Sequence, residues 1–223
     1  MSQIDYTAIA GISTTAAVTL AAAFFGAKYA FDLQNKKAAE DLIKRQLESV
    51  NLALFTLVRN HNFYLNVKNQ LIGEFENSPN RHHFIKPLTA IGIDPPLFDY
   101  AGLSFLLDVD ANLLFRLSVL QQDLTGTLHM IRDRSALHAD HLQPVVEKVQ
   151  AASGSEYVSV QDVEAAFGMR RTLELKEATD YMVNGINRGI EDTKTLASEL
   201  RSAMKKAHPK SKTIVIVQPH DNG

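Results

Sequence analysis

The stretch 43–57, IKRQLESVNLALFTL, decides how the fold is interpreted. Its apolar residues recur at alternating spacings of four and three, which is the heptad pattern of a helix face that packs against other helices. The pattern predicts a long helix from about Leu33 to about Phe75. The seam residues are buried either within the chain or against a second copy, and we treat them as an interaction seam. They are Ile43, Leu47, Val50, Leu54 and Leu57.

The segment before this seam has a different character. Tyr6 to Ala27 is a run of 22 residues without a charge, and as a helix it spans about 33 Å, close to the hydrocarbon thickness of roughly 30 Å. Eight Ala and four Thr dilute its larger apolar residues. We expect residues 1–32 to form a single-pass membrane anchor, with the helix reaching about Phe31. The alternative is an Ala-rich helix buried in a soluble protein.

The charges that flank this segment predict its orientation. All the nearby basic residues follow the apolar run, and none precedes it: Lys28, Lys36, Lys37, Lys44 and Arg45. The positive-inside rule then places the C-terminal domain in the cytoplasm. The missing N-terminal basic residue also disfavours a cleaved signal peptide.

Two further long helices are expected. One begins near Asp110, whose side chain can cap it, and reaches about Ala152 with a kink near Pro144. The other follows Gly168 and ends near Ala207. Three long helices predict an all-α fold in which residues 33–207 form an elongated antiparallel helical bundle, the second helix running back along the first.

Shorter signals complete this organisation. The breaker-rich residues 77–98 predict a long connection, and Ser159 with Asp162 resembles a helix capping box. Gly185 and Gly189 mark either a close helix crossing or tolerated weak points. Residues 208–223 are expected to be a flexible tail, whose β-prone run 213–217 is either disordered or pairs with a partner.

Composition excludes several classes of function. The chain has 23 Lys and Arg against 25 Asp and Glu, so it offers no general electrostatic attraction for nucleic acid. It contains no Cys, which excludes disulfides, thiolate metal ligands and cysteine nucleophiles. No phosphate-binding glycine loop, nucleophile elbow or zinc-protease motif occurs in it.

The histidines are therefore the remaining candidates for chemistry. His138 and His141 are three residues apart on a predicted helix and can share a face, which makes them weak metal-ligand candidates. The alternative is that both are solvated polar positions. His82 and His83 are expected in an exposed loop, and the run Arg132 to Arg134 is expected on a solvated helix face.

These patterns together favour a membrane-anchored helical interaction, scaffold or signal-relay protein without catalytic activity or cofactor. Its expected partners are the membrane and another protein. That protein could be a second copy of the same chain, in which case the protein is a homo-oligomer. Two alternatives stay open: an enzyme or metal-binding sensor that uses the histidines of the second long helix, and an accessory subunit of a larger membrane complex.

Overall fold

The computed structural model describes residues 6–88 and 97–210, with side chains described from Thr19 onward except that of Ala21. The described residues are helical and include no strand, so the all-α prediction is confirmed for them. Two π-helical turns, Lys68–Ile72 and His138–Leu142, and a 3-10 turn, Gly73–Phe75, join the α-helices. The α-helices are α1 (Tyr6–Val67), α2 (Arg81–Phe84), α3 (Leu106–Leu137), α4 (Gln143–Ser153), α5 (Val160–Phe167) and α6 (Met169–Ala207).

The chain divides into two compact units, Met1–Gln46 and Leu47–Gly223. Among the helices as described, none is long and apolar enough to cross a membrane, so the predicted anchor is not supported. Within the described side chains, the uncharged run covers only residues 19–27, because Lys28 follows. A span needs about 20 apolar residues. Residues 6–18 of the predicted anchor lie outside the described side chains.

The second unit is built on the end of α1 and on α3 and α6, which enclose two successive apolar clusters. The first cluster takes Val50 to Leu57 from α1, Leu106 to Leu120 from α3 and Leu196 to Met204 from α6. The second cluster takes its residues from further along α1 and α3 and from earlier in α6: Tyr64, Val67, Leu124, Leu128, Ile131, Met182, Val183 and Ile186. The helices α1 and α3 therefore run parallel, and α6 runs antiparallel to both.

The parallel course of α1 and α3 corrects the expected topology. A second helix that ran back along the first would bring the end of α3 to the beginning of the bundle. Instead, Gly102 lies beside Ser49, since a Cβ atom at position 102 would be 2.9 Å from that of Ser49. Between residues 73 and 105 the chain returns to the level of Ser49. This segment is long enough to cover the distance because an extended chain covers about 3.3 Å per residue.

The interaction seam belongs mainly to the interior of this chain. Val50, Leu54 and Leu57 are buried in the first apolar cluster, and Leu47 packs partly against it. These four side chains contact their own chain because α3 and α6 flank this face of α1. Ile43 lies in the other unit and is 37 % exposed. Association with a second copy stays a prediction, and of the seam only Ile43 is exposed to take part in it.

Several local signals are confirmed. The Asp110 carboxylate accepts a hydrogen bond from the Leu113 amide at 3.1 Å, although α3 already begins at Leu106 and bends at Asp110, where φ is −162° and ψ is 84°. The Ser159 hydroxyl caps α5 by accepting from the Asp162 amide at 3.1 Å. Near Pro144, where a kink is expected, the helix changes to the π-helical turn His138–Leu142, and α4 follows with Pro144 in its first turn.

Candidate metal centre

Two adjacent histidines of α2 meet a carboxylate of α5. Nε2 of His83 lies 3.1 Å from Oε1 of Glu164, and Nε2 of His82 lies 3.4 Å from the same oxygen. The two imidazole rings are 4.2 Å apart between centroids. All three residues offer a ligand atom within 4.8 Å of the other two. The fold thus brings together donors from segments about 80 residues apart in the chain.

The sequence suggested that His82 and His83 lie in an exposed loop, and the structure shows that they do not. Residues Arg81–Phe84 form a short helix, and His82 is only 3 % exposed. The segment is drawn inward because Ile85, directly after it, is buried in the second apolar cluster. The Glu164 side chain is 37 % exposed, so the site opens to solvent on the α5 side.

These separations fit a small divalent cation. In a tetrahedral zinc site, nitrogen and oxygen ligands lie about 2.0–2.2 Å from the metal, which places neighbouring ligand atoms roughly 3.3–3.5 Å apart. The two nitrogen–oxygen distances, 3.1 and 3.4 Å, are close to that spacing. Two imidazoles and one carboxylate form a mixed nitrogen and oxygen donor set that suits zinc and similar transition metals better than magnesium or calcium.

The electrostatics of the site favour the ligand forms of these side chains. Burial lowers the pKa of His82, and the neighbouring His83 lowers it further, which outweighs the opposing effect of Glu164. The hydrogen bond from His83 lowers the pKa of Glu164. At neutral pH His82 is therefore a neutral imidazole and Glu164 a carboxylate, which are the protonation states that bind metal.

The short helix α2 is held at its beginning by Arg81. Its Nε and Nη2 atoms donate to Oδ1 of Asp180 in α6 at 2.9 and 2.8 Å, and Nη1 donates to the Glu76 carbonyl oxygen at 2.6 Å. A forked guanidinium contact of this kind restricts orientation more than a single bond does. The beginning of α2 is thereby tied to the bundle.

The end of α2 is held by Arg134 of α3, which is only 1 % exposed. Its Nη2 donates to the carbonyl oxygens of His82, at 3.2 Å, and Ile85, and its Nη1 donates to that of Lys86 at 3.0 Å. Its Nε donates to the Thr179 hydroxyl at 3.3 Å. Burial lowers the pKa of Arg134 to about 10, so the guanidinium remains charged at neutral pH.

The two histidines singled out by the sequence lie on one π-helical turn, and their role as metal ligands stays a prediction. His138 turns toward the candidate site, where its Nε2 donates to the His83 carbonyl oxygen at 3.3 Å. His141 is exposed on the same π-helical turn. Among the described residues, the cluster with metal-ligand spacing is His82, His83 and Glu164.

Sequence reasoning missed the roles of Glu164 and Arg134. Glu164 lies in a helix of eight residues with no histidine, and no spacing rule links it to position 82. The charged residues Arg132 and Asp133 directly before it predict a solvated helix face for Arg134. The available signal was its register: Arg134 follows Leu124, Leu128 and Ile131 on the apolar stripe of α3.

Comparison of this chain with protein-family models, with curated proteins and with solved structures gives no match.

Proposed function

We propose that this protein is a helical-bundle metal-binding protein, which holds a divalent transition metal between His82, His83 and Glu164. The observation that carries the proposal is the convergence of the three donor atoms within 4.8 Å. Three protein ligands leave one tetrahedral position for water or an exogenous ligand. The proposal keeps the metal-sensor alternative of the sequence analysis and moves it from His138 and His141 to a different set of residues.

The effect of a bound metal follows from the elements it connects. His82 and His83 belong to α2, which Arg81 and Arg134 tie to α6 and α3, whereas Glu164 belongs to the separate helix α5. A metal that bridges them would add a link between α5 and the bundle, beside the packing of Val163 and Phe167 of α5 against Leu175 of α6. Because it binds the folded chain preferentially, it stabilises that chain in proportion to the logarithm of the free metal concentration. Such a response is the property of a sensor or of a structural metal site.

The test is titration of the purified full-length chain with zinc, followed by calorimetry and by the thermal unfolding midpoint. We expect one zinc per chain and a midpoint that rises with zinc. Glu164→Gln keeps the shape of a partly exposed side chain and removes the charged ligand, so it should weaken binding by more than about 100-fold. His141→Ala is the matched control at an exposed histidine and should bind as the unaltered chain does. Zinc binding that is the same in both variants would reject the site.

A second candidate function is the membrane-tethered interaction, scaffold or signal-relay role, with the second unit in the cytoplasm. It is supported by six large apolar side chains of the first unit that are each at least 57 % exposed, and by the uncharged run 6–27, which contains three of them. Exposed apolar surface on this scale is typical of membrane or protein contacts. The residues are Leu20, Phe24, Phe25, Tyr29, Phe31 and Leu33.

Extraction of membranes with alkaline carbonate tests this second role. A tethered chain stays in the pellet, and Phe24→Asp should release part of it, because a charge within a span costs about 2.5–3.5 kcal/mol. Asp32→Asn, outside the apolar run, is the control. Full release of the unaltered chain would reject the tether, and purification from solubilised membranes would reveal a larger complex if the chain is an accessory subunit.

A further inference from the structure

We infer that Arg134 is a positioning residue for the metal ligands, acting through the backbone of the segment that carries them. The inference rests on the proposed function. Arg134 touches no ligand atom of the site. It binds instead the carbonyl oxygen of His82, in the helix α2 whose last carbonyl groups have no partner within the helix, and those of Ile85 and Lys86, which directly follow the helix.

Arg134 is unusual because no carboxylate among the described residues pairs with it. A charged side chain that is 1 % exposed is normally paired with an opposite charge, yet the hydrogen-bond partners of Arg134 in the described chain are three carbonyl oxygens and one hydroxyl. The guanidinium is compatible with this site because its planar fork reaches several acceptors at once. The negative end of a helix also favours a cation, although α2 is only one turn long.

A second side chain of the same helical face acts on the other histidine. His138, four residues after Arg134, donates from Nε2 to the His83 carbonyl oxygen at 3.3 Å. The Ser135 hydroxyl accepts from the Leu88 amide at 3.0 Å. The end of α3 and the turn after it thus hold residues 82–88 at several points. These points include the carbonyl oxygens of His82 and His83, the two residues that carry the imidazole ligands.

This arrangement has a specific consequence for the metal. The imidazoles of adjacent residues on a helix diverge by about 100° around its axis, so both can reach one oxygen of Glu164 only if the short helix is held in one orientation. Arg81 holds its beginning through Asp180, and Arg134 holds its end. Outer groups that orient metal ligands commonly contribute 10–100-fold to metal affinity.

The experiment measures zinc affinity, the visible absorption of the cobalt-loaded chain and the unfolding midpoint of the metal-free chain. Arg134→Lys retains the charge and loses the fork, so we expect zinc affinity to fall by about 10–100-fold, with a changed cobalt spectrum. Arg116→Lys is the matched control on the same helix, at a surface contact with Glu199. Arg116→Lys should leave the zinc affinity and the cobalt spectrum unchanged.

Three further variants separate positioning from general destabilisation. Leu54→Ala destabilises the other apolar cluster and should leave zinc affinity and the cobalt spectrum unchanged while the chain is folded. His138→Leu should weaken zinc binding, and His138→Gln, which keeps a donor, should restore part of it. The two His138 variants remain informative even if Arg134→Lys does not fold.

The outcomes are distinguishable. If the unaltered chain binds no zinc, the proposed function fails and the positioning role fails with it. If the unaltered chain binds zinc and Arg134→Lys binds it equally well with the same cobalt spectrum, the positioning role alone is rejected. If Arg134→Lys does not fold and His138→Leu binds zinc as the unaltered chain does, the positioning role is likewise rejected. Equal losses of zinc affinity in Arg134→Lys and Leu54→Ala would also reject it.

Discussion

The ring of Tyr64 in α1 lies directly against the backbone of Gly189 in α6. A Cβ atom at position 189 would be 2.2 Å from Cζ of Tyr64, which is far inside van der Waals contact. Tyr64 is completely buried, and burial also raises the pKa of its hydroxyl. Of the two interpretations of Gly189 in the sequence, a close helix crossing is the correct one.

Gly189→Ala is expected to destabilise the chain because the new methyl group overlaps an aromatic ring that is itself completely buried. Overpacking of this kind costs about 1–3 kcal/mol. Gly126→Ala in α3 is the control: nothing lies within 4 Å of its Cβ position, and the better helix propensity of Ala should stabilise by up to about 1 kcal/mol. Urea unfolding measures both. A stabilising Gly189→Ala would contradict the close packing.

Leu54→Ala tests whether the seam is intramolecular. Leu54 is completely buried in the first apolar cluster, so its truncation should cost about 2–5 kcal/mol at every protein concentration. Leu52→Ala, at a position 54 % exposed on the same helix, should change stability by less than about 0.5 kcal/mol. An unfolding midpoint that rises with protein concentration would instead show that association with a second copy contributes to the stability of the fold.

Stability is expected to fall as the pH is lowered through about 6.5, the pKa of histidine in an unfolded chain. Burial lowers the pKa of both His82 and His138 in the folded chain. The unfolded chain therefore takes up more protons in this range, and protonation favours it. Above this range both imidazoles are neutral in the folded and in the unfolded chain, so the folded chain has its full stability.

Urea unfolding at pH 7.5, 6.5 and 5.5 checks this direction in the metal-free chain. His138→Gln should reduce the dependence on pH, and His141→Gln, at the exposed position, should leave it unchanged. The lowered pKa of Glu164 extends the loss of stability to lower pH, since that contribution disappears as the carboxylate is protonated. Stability that increased toward pH 5.5 would refute the burial of the two imidazoles as neutral groups.

The sequence predicted those features that depend on periodicity or on local chemistry. The apolar stripe that includes Met182, Ile186, Leu196 and Leu200 marks α6 as a buried helix, and the caps at Asp110 and Ser159 depend on hydrogen bonds within three residues. Such signals are readable because the partners are near in the chain.

The candidate site could not be predicted in this way. His82 and Glu164 meet because α2 and α5 are each docked onto other helices, and nothing in the neighbourhood of either residue records that docking. The direction of α3 was missed for a related reason: a connection rich in Pro and Gly shows that the chain turns, but its path depends on tertiary contacts such as that of Gly102 with Ser49.

The parallel course of α1 and α3 gives the last prediction. The chain has no Cys, so the pair Ser49→Cys and Gly102→Cys introduces the only thiols. Their Cβ atoms would start 2.9 Å apart, and a shift of less than about 1 Å brings them to the 3.5–4.5 Å of a disulfide. Mild oxidation should therefore cross-link the pair within one chain. The measurement is the mobility of the denatured chain with and without reductant.

The comparison pair is Ser49→Cys with Ser135→Cys, near the end of α3. Had α3 run back along α1, position 135 would lie close to position 49, because each is about 25 residues from the expected turn, and this pair would cross-link instead. With α1 parallel to α3, Ser135 follows Ile131 of the second apolar cluster and contacts the Leu88 amide. We expect no cross-link from this pair. Rapid oxidation of 49 with 135 and none of 49 with 102 would restore the antiparallel arrangement.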